Sequence, residues 1–437
     1  MPRISLAFTV LLGLCPALFC PAAEPPPVTT PRATSGDTRV EPDWAQRLTV
    51  TVGPERADIV GTDQRALQAA VDYVARLGGG TVKVLAGTYH LRNAVFLQSK
   101  VRLSGEGEKT ILLKEPSITT KLAADSDWFD QEITLQDATG FQLGDGICLR
   151  TKREGGGGDI VLKRTLVART GNRFKLDRPL RENYWRVNGA TASTLFPIVT
   201  GENMSDVIIE NLTLDGNRDH NANLDGNYAG CIFLQDCERI TIRGVDARNY
   251  NGDGISWQIC HDVLVENCVS EHHSGLGLHP GSGSQRPIIR NNRLAGNHIG
   301  LFFCWGVRHG LAENNRVENN DIGISIGHHD TDNLVMDNNV IGSKTNGILF
   351  RPERGPDFTG NRNRIVGNTL VDNGAENGAA IEVRGGTRDI TLEKNQITDS
   401  RGTSKRVAIL LGPETQNVQT TGNTIKGFAK EVEQAVK

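Results

Sequence analysis

Gly254-Ile255, Gly277-Leu278, Gly300-Leu301 and Gly323-Ile324 repeat one two-residue motif at a spacing of 23, and Gly347-Ile348 follows at 24. A second marker keeps step with it: an asparagine two residues before an aliphatic or β-branched residue, at Asn267, Asn292, Asn315, Asn339, Asn368, Asn395 and Asn423. A repeat in the twenties is too short for a helix pair and marks a stacked β-coil. Each Gly-aliphatic pair opens a short strand whose side chains alternate, so Ile255, Leu278, Leu301, Ile324 and Ile348 point into the column. One coil cannot bury that face alone, but coils stacked ~4.8 Å apart bury all of them together. Stacked asparagines satisfy turn backbone that would otherwise be buried unpaired. A leucine-rich horseshoe has a similar period but needs a Leu-rich consensus and helical returns, which this stretch lacks. The pattern predicts an all-β chain, a right-handed parallel β-helix.

Outward from the repeat, the remaining segments of the 437-residue chain read as start, insert and end of one column, because a solenoid lengthens without splitting its core. Residues 1–23 read as an export signal, with Arg3, an apolar run from Leu6 to Phe19, and small residues Ala22-Ala23 for cleavage. The mature protein is then secreted or periplasmic; a lipid anchor on Cys20 is the alternative, with Phe19 where a small residue belongs. Residues 24–45, rich in Pro and Thr, read as a disordered linker. Residues 46–116 hold an N-terminal cap and the first coils. There Thr62 is placed as the cap of a helix over 63–77, with Ala66, Leu67, Ala70, Val71, Val74 and Leu77 as its apolar stripe. Residues 117–195 break the period and predict a small inserted β-subdomain, with Lys152, Arg153, Lys163 and Arg164 on a solvated face. The β-helix proper spans 196–428. Residues 429–437 close it as a C-terminal cap, with Phe428, Val432 and Val436 as the apolar side of the terminal segment.

A net charge of −3 gives nucleic-acid binding no global support, and no run beyond the signal is apolar enough to span a membrane. Six cysteines remain beyond the signal: Cys148, Cys231, Cys237, Cys260, Cys268 and Cys304. None forms a CxxC pair, so a structural zinc site is not indicated. Cys237 and Cys260 are 23 residues apart and stack in adjacent coils, as buried thiols or as a disulfide.

Nine of the ten histidines lie between 220 and 329. A solenoid places function on loops and outward rows of one face, and the repeat sets the register of those rows. One row runs Phe233, Ser256, His279, Phe302, Ser325, Leu349, Glu382; the next runs Gln235, Gln258, Gly281, Cys304, Gly327, Arg351, Arg384. Asp253, Gln258, His272, His273, His279 and Arg351 then share a face flanked by the long loop Asp215–Gly230. Such a face offers an acid, a titratable base and a cation to a chain-like substrate. His328-His329-Asp330 with Asp332 is a candidate transition-metal set or a plain turn surface.

Residues 48–428 resemble the pectate-lyase-like superfamily of β-helices, which includes pectate lyases, polygalacturonases, alginate lyases and epimerases, and phage tailspikes. Motif similarity is sharpest to polygalacturonases, at Gly252-Asp253-Gly254-Ile255, Glu266-Asn267-Cys268, and Ser274-Gly275-Leu276-Gly277-Leu278-His279-Pro280-Gly281-Ser282. Asp253 matches the first acid of that family, whereas Gly254 replaces the second and Leu276 stands at the family histidine. The paired carboxylates of hydrolysis are therefore not both present, unless Asp225 supplies one.

What the resemblance implies instead is β-elimination of a uronic acid, with polygalacturonase-like hydrolysis, C5 epimerisation and non-catalytic glycan binding as alternatives. Elimination needs the sugar carboxylate neutralised and the C5 proton removed. Arg351 or Arg384 suits the first task, and His279, assisted by His272 or His273, the second. Asp253 is the acid of this expected catalytic set, and Gln258, Ser256, Asp225, Phe302, Trp305 and Arg384 are the expected substrate contacts. Related lyases often use Ca²⁺, for which Asp215, Asp219 and Asp225 are the candidate ligands. The expected partner is an acidic polysaccharide.

Overall fold

The computed structural model describes residues 41–153, 155–355, 358–402 and 405–436. The stretch expected to be an export signal, residues 1–23, and residues 24–40 of the expected linker lie outside the described residues. From Gly230 onward the chain winds as a three-sided coil. Sheet I has eleven strands, among them Gly230–Gln235, Asp253–Gln258, Leu276–Gly281, Ile299–Phe302, Ile322–Ile326, Asn346–Phe350 and Ala379–Val383. Sheet II includes Glu238–Arg243, His261–Glu266, Ile288–Arg290 and Leu311–Glu313; sheet III includes Asp246–Arg248, Val269–Glu271, Arg293–Ala295 and Arg316–Glu318. Every strand pairs in parallel with its counterpart one coil away, so Ile255, Leu278, Leu301, Ile324 and Ile348 stand side by side. All five are fully buried, and with Val265, Val317 and Val340 they form one continuous core. No helix among the described residues is long and apolar enough to cross a membrane.

Asparagine ladders hold the corners. Asn315 Oδ1 accepts from Asn292 N at 3.0 Å, Asn338 from Asn315 N at 2.9 Å, and Asn368 from Asn338 N at 2.9 Å. The ladder continues through Asn395 and Asn423. Each amide also donates down the column, as Asn315 Nδ2 does to Ile289 O at 2.9 Å, so both halves of the side chain replace backbone partners that a buried turn lacks. Two markers belong elsewhere. Cys268, not Asn267, and Asn338, not Asn339, occupy the ladder, because Asn267 turns the chain in a left-handed conformation and Asn339 opens a strand. A second ladder, at the corner between sheets III and I, uses Asn297, Asn320 and Asn373.

The N-terminal helix is Gln64–Arg76, and Asp63 rather than Thr62 caps it, its Oδ1 accepting from Arg65 N and Ala66 N. Ala66, Leu67, Ala70, Val71 and Val74 face the core, whereas Leu77 at the C-cap is exposed. Residues 41–45 are structured rather than linker: Trp44 is buried and Glu41 pairs with Arg243 at 3.0 Å. At the other end the amphipathic segment is no separate cap. Lys430–Gln434 is the last strand of sheet I, and Val432 and Val436 are exposed.

Within 117–195 six strands form an antiparallel sheet in the order Thr119–Lys121, Thr191–Ser193, Gly146–Lys152, Asp159–Thr170, Arg173–Leu176, Glu132–Thr134. It has its own core of Leu135, Leu149, Leu166, Phe174 and Tyr184. Lys152 and Arg153 are solvated, but Lys163 is half-buried and reaches Phe233 of sheet I, and Arg164 is buried against carbonyls of the insert. Cys237 and Cys260 stack in adjacent coils as free buried thiols.

Candidate functional site

The outward row of sheet I stands as the repeat predicts, with Phe233 beside Ser256, Ser256 beside His279, and Phe302 beside Ser325. It is covered, not open. The loop Asp215–Gly230 folds over it because its base is pinned by Lys114, a fully buried lysine whose Nζ donates to Asn221 Oδ1 and Thr194 O. Burial pulls that ammonium down to about 7. At the loop's tip Gly226 lies against Asp253: a Cβ there would sit 1.6 Å from Asp253 Oδ2, so only glycine permits the approach. Ser256 Oγ donates to Gly226 O at 2.7 Å and latches the tip down.

Beneath the loop, Asp253 opens one strand and His279 lies within the next. Asp253 Oδ2 is 2.8 Å from His279 Nδ1, and Asp253 Oδ1 accepts from Leu276 N at 2.9 Å. The carboxylate fixes the proton on Nδ1 and leaves Nε2 as a lone-pair acceptor. Nε2 is buried and has no hydrogen-bond partner among the described residues. The imidazole packs edge-on against Phe302, ring centroids 5.3 Å apart. Over the same ring, 4.2 Å away, lies the Arg351 guanidinium. Arg351 reaches back across the face, donating to Ser325 Oγ and Phe303 O at 2.7 Å each and to Asp330 Oδ2 at 3.2 Å, with Nε unspent. Gln258 Nε2 donates to Ser256 Oγ at 3.2 Å, its amide packed against Gly281. An oriented base, an aromatic wall and a cation are thus brought together.

Residues 230–397 match the family described as the right-handed β-helix region. Among solved structures, the A-module of the Azotobacter vinelandii mannuronan C-5 epimerase AlgE6 superposes with a TM-score of 0.57 at 16% identity, over 85% of this chain and 92% of that one. The A-module of AlgE4 from the same organism gives 0.55 at 15% identity, over 88% and 100%. The chain is a right-handed parallel β-helix. No curated protein sequence matches it significantly.

Within this β-helix, two of the expected site residues lie elsewhere and three lie under cover. His272 is exposed in a left-handed turn at the end of sheet III, 3.9 Å from Glu271. His273 is inside the column: Nδ1 accepts from Tyr250 N and Nε2 donates to Ala247 O, each at 3.1 Å. It fills an asparagine position of the second ladder, and burial lowers its pKa to about 3. Gln258, Ser256 and His279 are outward but buried, because loop and insert close over a row that the repeat alone would expose.

Arg384, one coil beyond Arg351, is spent bidentately on Glu382 at 2.7 and 2.8 Å. Trp305 is exposed with Arg354 5.4 Å over its ring and Phe358 5.3 Å away. Asp225 is exposed and caps its own loop through Asn227 N.

The candidate metal sets do not converge. Asp215 pairs with Arg248 at 3.0 Å, and Asp332 holds Arg362 bidentately at 2.8 Å. Asp330 accepts from Gly306, Val307 and Gly327 amides. Among the described residues no three His, Cys, Asp or Glu side chains are placed to hold a metal. Sequence reasoning placed Ser325 in the outward row and Asp330 in a candidate metal set, but missed that both hold Arg351.

Proposed function

We propose that this β-helix is exported by its N-terminal segment and acts on an acidic polysaccharide, cleaving it by β-elimination at a uronate residue. The observation that carries this is the His279–Asp253 dyad, which presents an unspent Nε2 on the outward face of sheet I. A neutral imidazole whose tautomer is fixed, with its free nitrogen aimed outward, is a competent general base. Nε2 takes the C5 proton, the electron pair becomes the C4–C5 double bond, and the C4–oxygen bond breaks, the leaving oxygen taking a proton from water. Arg351, held beside Phe302, places positive charge where the uronate carboxylate and its developing negative charge would lie. Hydrolysis has weaker support, because both oxygens of Asp253 are engaged, by Leu276 N and His279 Nδ1, and Gly254 stands beside it where a second acid would be needed.

Incubation with polygalacturonate, polymannuronate, polyguluronate and neutral glucans tests the reading. Ultraviolet absorbance from a double bond conjugated to the carboxylate, with reducing ends in step, is the expected result. Reducing ends without absorbance would establish hydrolysis and overturn it. Deuterium entering C5 from heavy water with no chain cleavage would show that proton removal leads to epimerisation instead.

A further inference from the structure

Two coils before His279, ~10 Å along the same outward row at ~4.8 Å per coil, a cavity of about 270 Å³ opens between the inserted sheet, the Asp215–Gly230 loop and sheet I. Phe233, Thr200 and Gln235 of sheet I form its floor, Tyr228 of the loop one wall, and Lys163 and Arg178 of the insert the other. The mix of one aromatic face, neutral hydrogen-bonding groups and cations suits a sugar ring bearing a negative charge.

Lys163 decides the charge preference. Its Nζ donates to Tyr228 O at 2.5 Å and stands 3.9 Å over the Phe233 ring. Among the described residues no carboxylate lies within ion-pair distance of it. Burial lowers its pKa to about 8, so the ammonium persists at neutral pH. Arg164, next in sequence, is buried and directs its guanidinium only at the carbonyls of Lys163, Arg178 and Pro179. Opposing charge in the wall is limited to Asp177 and Glu202, and Arg178 faces both, at 3.4 and 4.0 Å. Two cations whose contacts are carbonyls and a ring leave net positive charge in a sheltered site.

We propose that this cavity is a binding subsite for one uronate unit of the polymer, its carboxylate taken by Lys163 and its ring laid on Phe233, so that the chain runs from the insert toward His279 and Arg351. The proposal rests on the acidic-polysaccharide reading above and adds to it which part of the protein measures the charge. It also gives the insert a purpose: the periodic column supplies Phe233, but the cation arrives from outside the repeat.

The test is equilibrium titration of His279→Ala protein, which does not consume ligand, with trisaccharides of galacturonate, mannuronate and guluronate and with a neutral galactose trisaccharide. At least one acidic trisaccharide should bind and the neutral one should not compete. Adding Lys163→Met should weaken binding about tenfold or more, the loss of one charge-assisted contact. Arg178→Gln, at an exposed position where folding is not at stake, should weaken it less. Thermal melts separate a misfolded Lys163→Met from a folded one. Equal binding of acidic and neutral sugars, unchanged affinity in folded Lys163→Met, or no binding at all would overturn the subsite. Lys163-dependent binding by a protein that yields no double bond would keep the subsite and remove the elimination reading. Elimination with a KM indifferent to Lys163→Met would do the reverse.

Discussion

Sheets II and III and the outward face of sheet I are cut from one repeat, yet they use their charges in opposite ways. On II and III the outward cations rest on carboxylates of neighbouring coils: Arg290 on Glu266 at 2.8 Å, Arg286 on Asp262 at 2.9 Å, and Arg293 between Glu271 and Glu318. Those faces neutralise themselves and offer a ligand little. Along sheet I, Arg384 is fully paired, on Glu382, but Arg351 gives Asp330 one contact and otherwise rests on Ser325 Oγ, Phe303 O and the Phe302 ring. Lys163 reaches in from the insert onto Tyr228 O and the Phe233 ring, and His279 keeps one nitrogen unspent. A coil pairs its charges across the stack by default, so the face where pairing is withheld is the face with charge left for something else.

The sharpest way to break that comparison is to remove the dyad. His279→Ala should lower the elimination rate by about 10²–10⁴, the usual contribution of a general base. Asp253→Asn should cost a similar factor, because the amide no longer fixes the Nδ1 proton and the tautomer that frees Nε2 is lost. Both should be read as kcat on the polymer, with circular dichroism to confirm the fold. A fully active Asp253→Asn protein would mark the pair as a packing device.

His273 sharpens the contrast from the other side, since it lies six residues from His279 and does scaffold work. Its folded pKa, about 3, is well below the ~6.5 of an unfolded histidine, so the folded state resists its protonation. Stability from this residue is complete above pH 6.5 and is lost as pH falls from there toward 3, at about 1.4 kcal/mol per pH unit. His273→Asn supplies the donor and acceptor that Asn297 and Asn320 use in the same ladder, and should abolish that slope. His273→Ala leaves Tyr250 N–H and Ala247 C=O unpaired and should cost about 1–3 kcal/mol even at pH 7. Urea melts at pH 7 and pH 5 give both values; an identical pH dependence in His273→Asn would refute the assignment.

The two histidines also mark how far sequence reasoning carries. The period of 23 placed the core residues and the outward row of sheet I, because alternation along a strand is a local property. It misplaced His273 because a turn residue's direction depends on backbone conformation, which spacing does not report. A signal was present: His273 stands 24 residues before Asn297, and Asn297 stands 23 before Asn320, a series in which histidine imitates asparagine. Asn267 and Asn339 erred by one residue for the same reason. The cover over the row was illegible on different grounds. Gly226 on Asp253 and Lys163 on Phe233 join segments from outside the repeat, and only tertiary packing brings them there.

The smallest expected effect comes from the faces that neutralise themselves. Arg290 and Glu266 meet through Nε and Nη2 at 2.9 and 2.8 Å, a good geometry, but the arginine is 41% exposed. Water and salt screen such a pair, and ordering two long side chains offsets much of what remains. A double-mutant cycle through Arg290→Ala and Glu266→Ala should therefore give a coupling of about 0.2–1 kcal/mol that fades in molar salt. Elimination kinetics should be unchanged in either single variant, since Arg290 and Glu266 stand on sheet II and the dyad on sheet I. If Arg290→Ala instead lowered polymer affinity as much as Lys163→Met, charge on sheet II would also be available to ligand. The division between self-paired and withheld charge would then be wrong, and the polymer would have to wrap more than one face of the column.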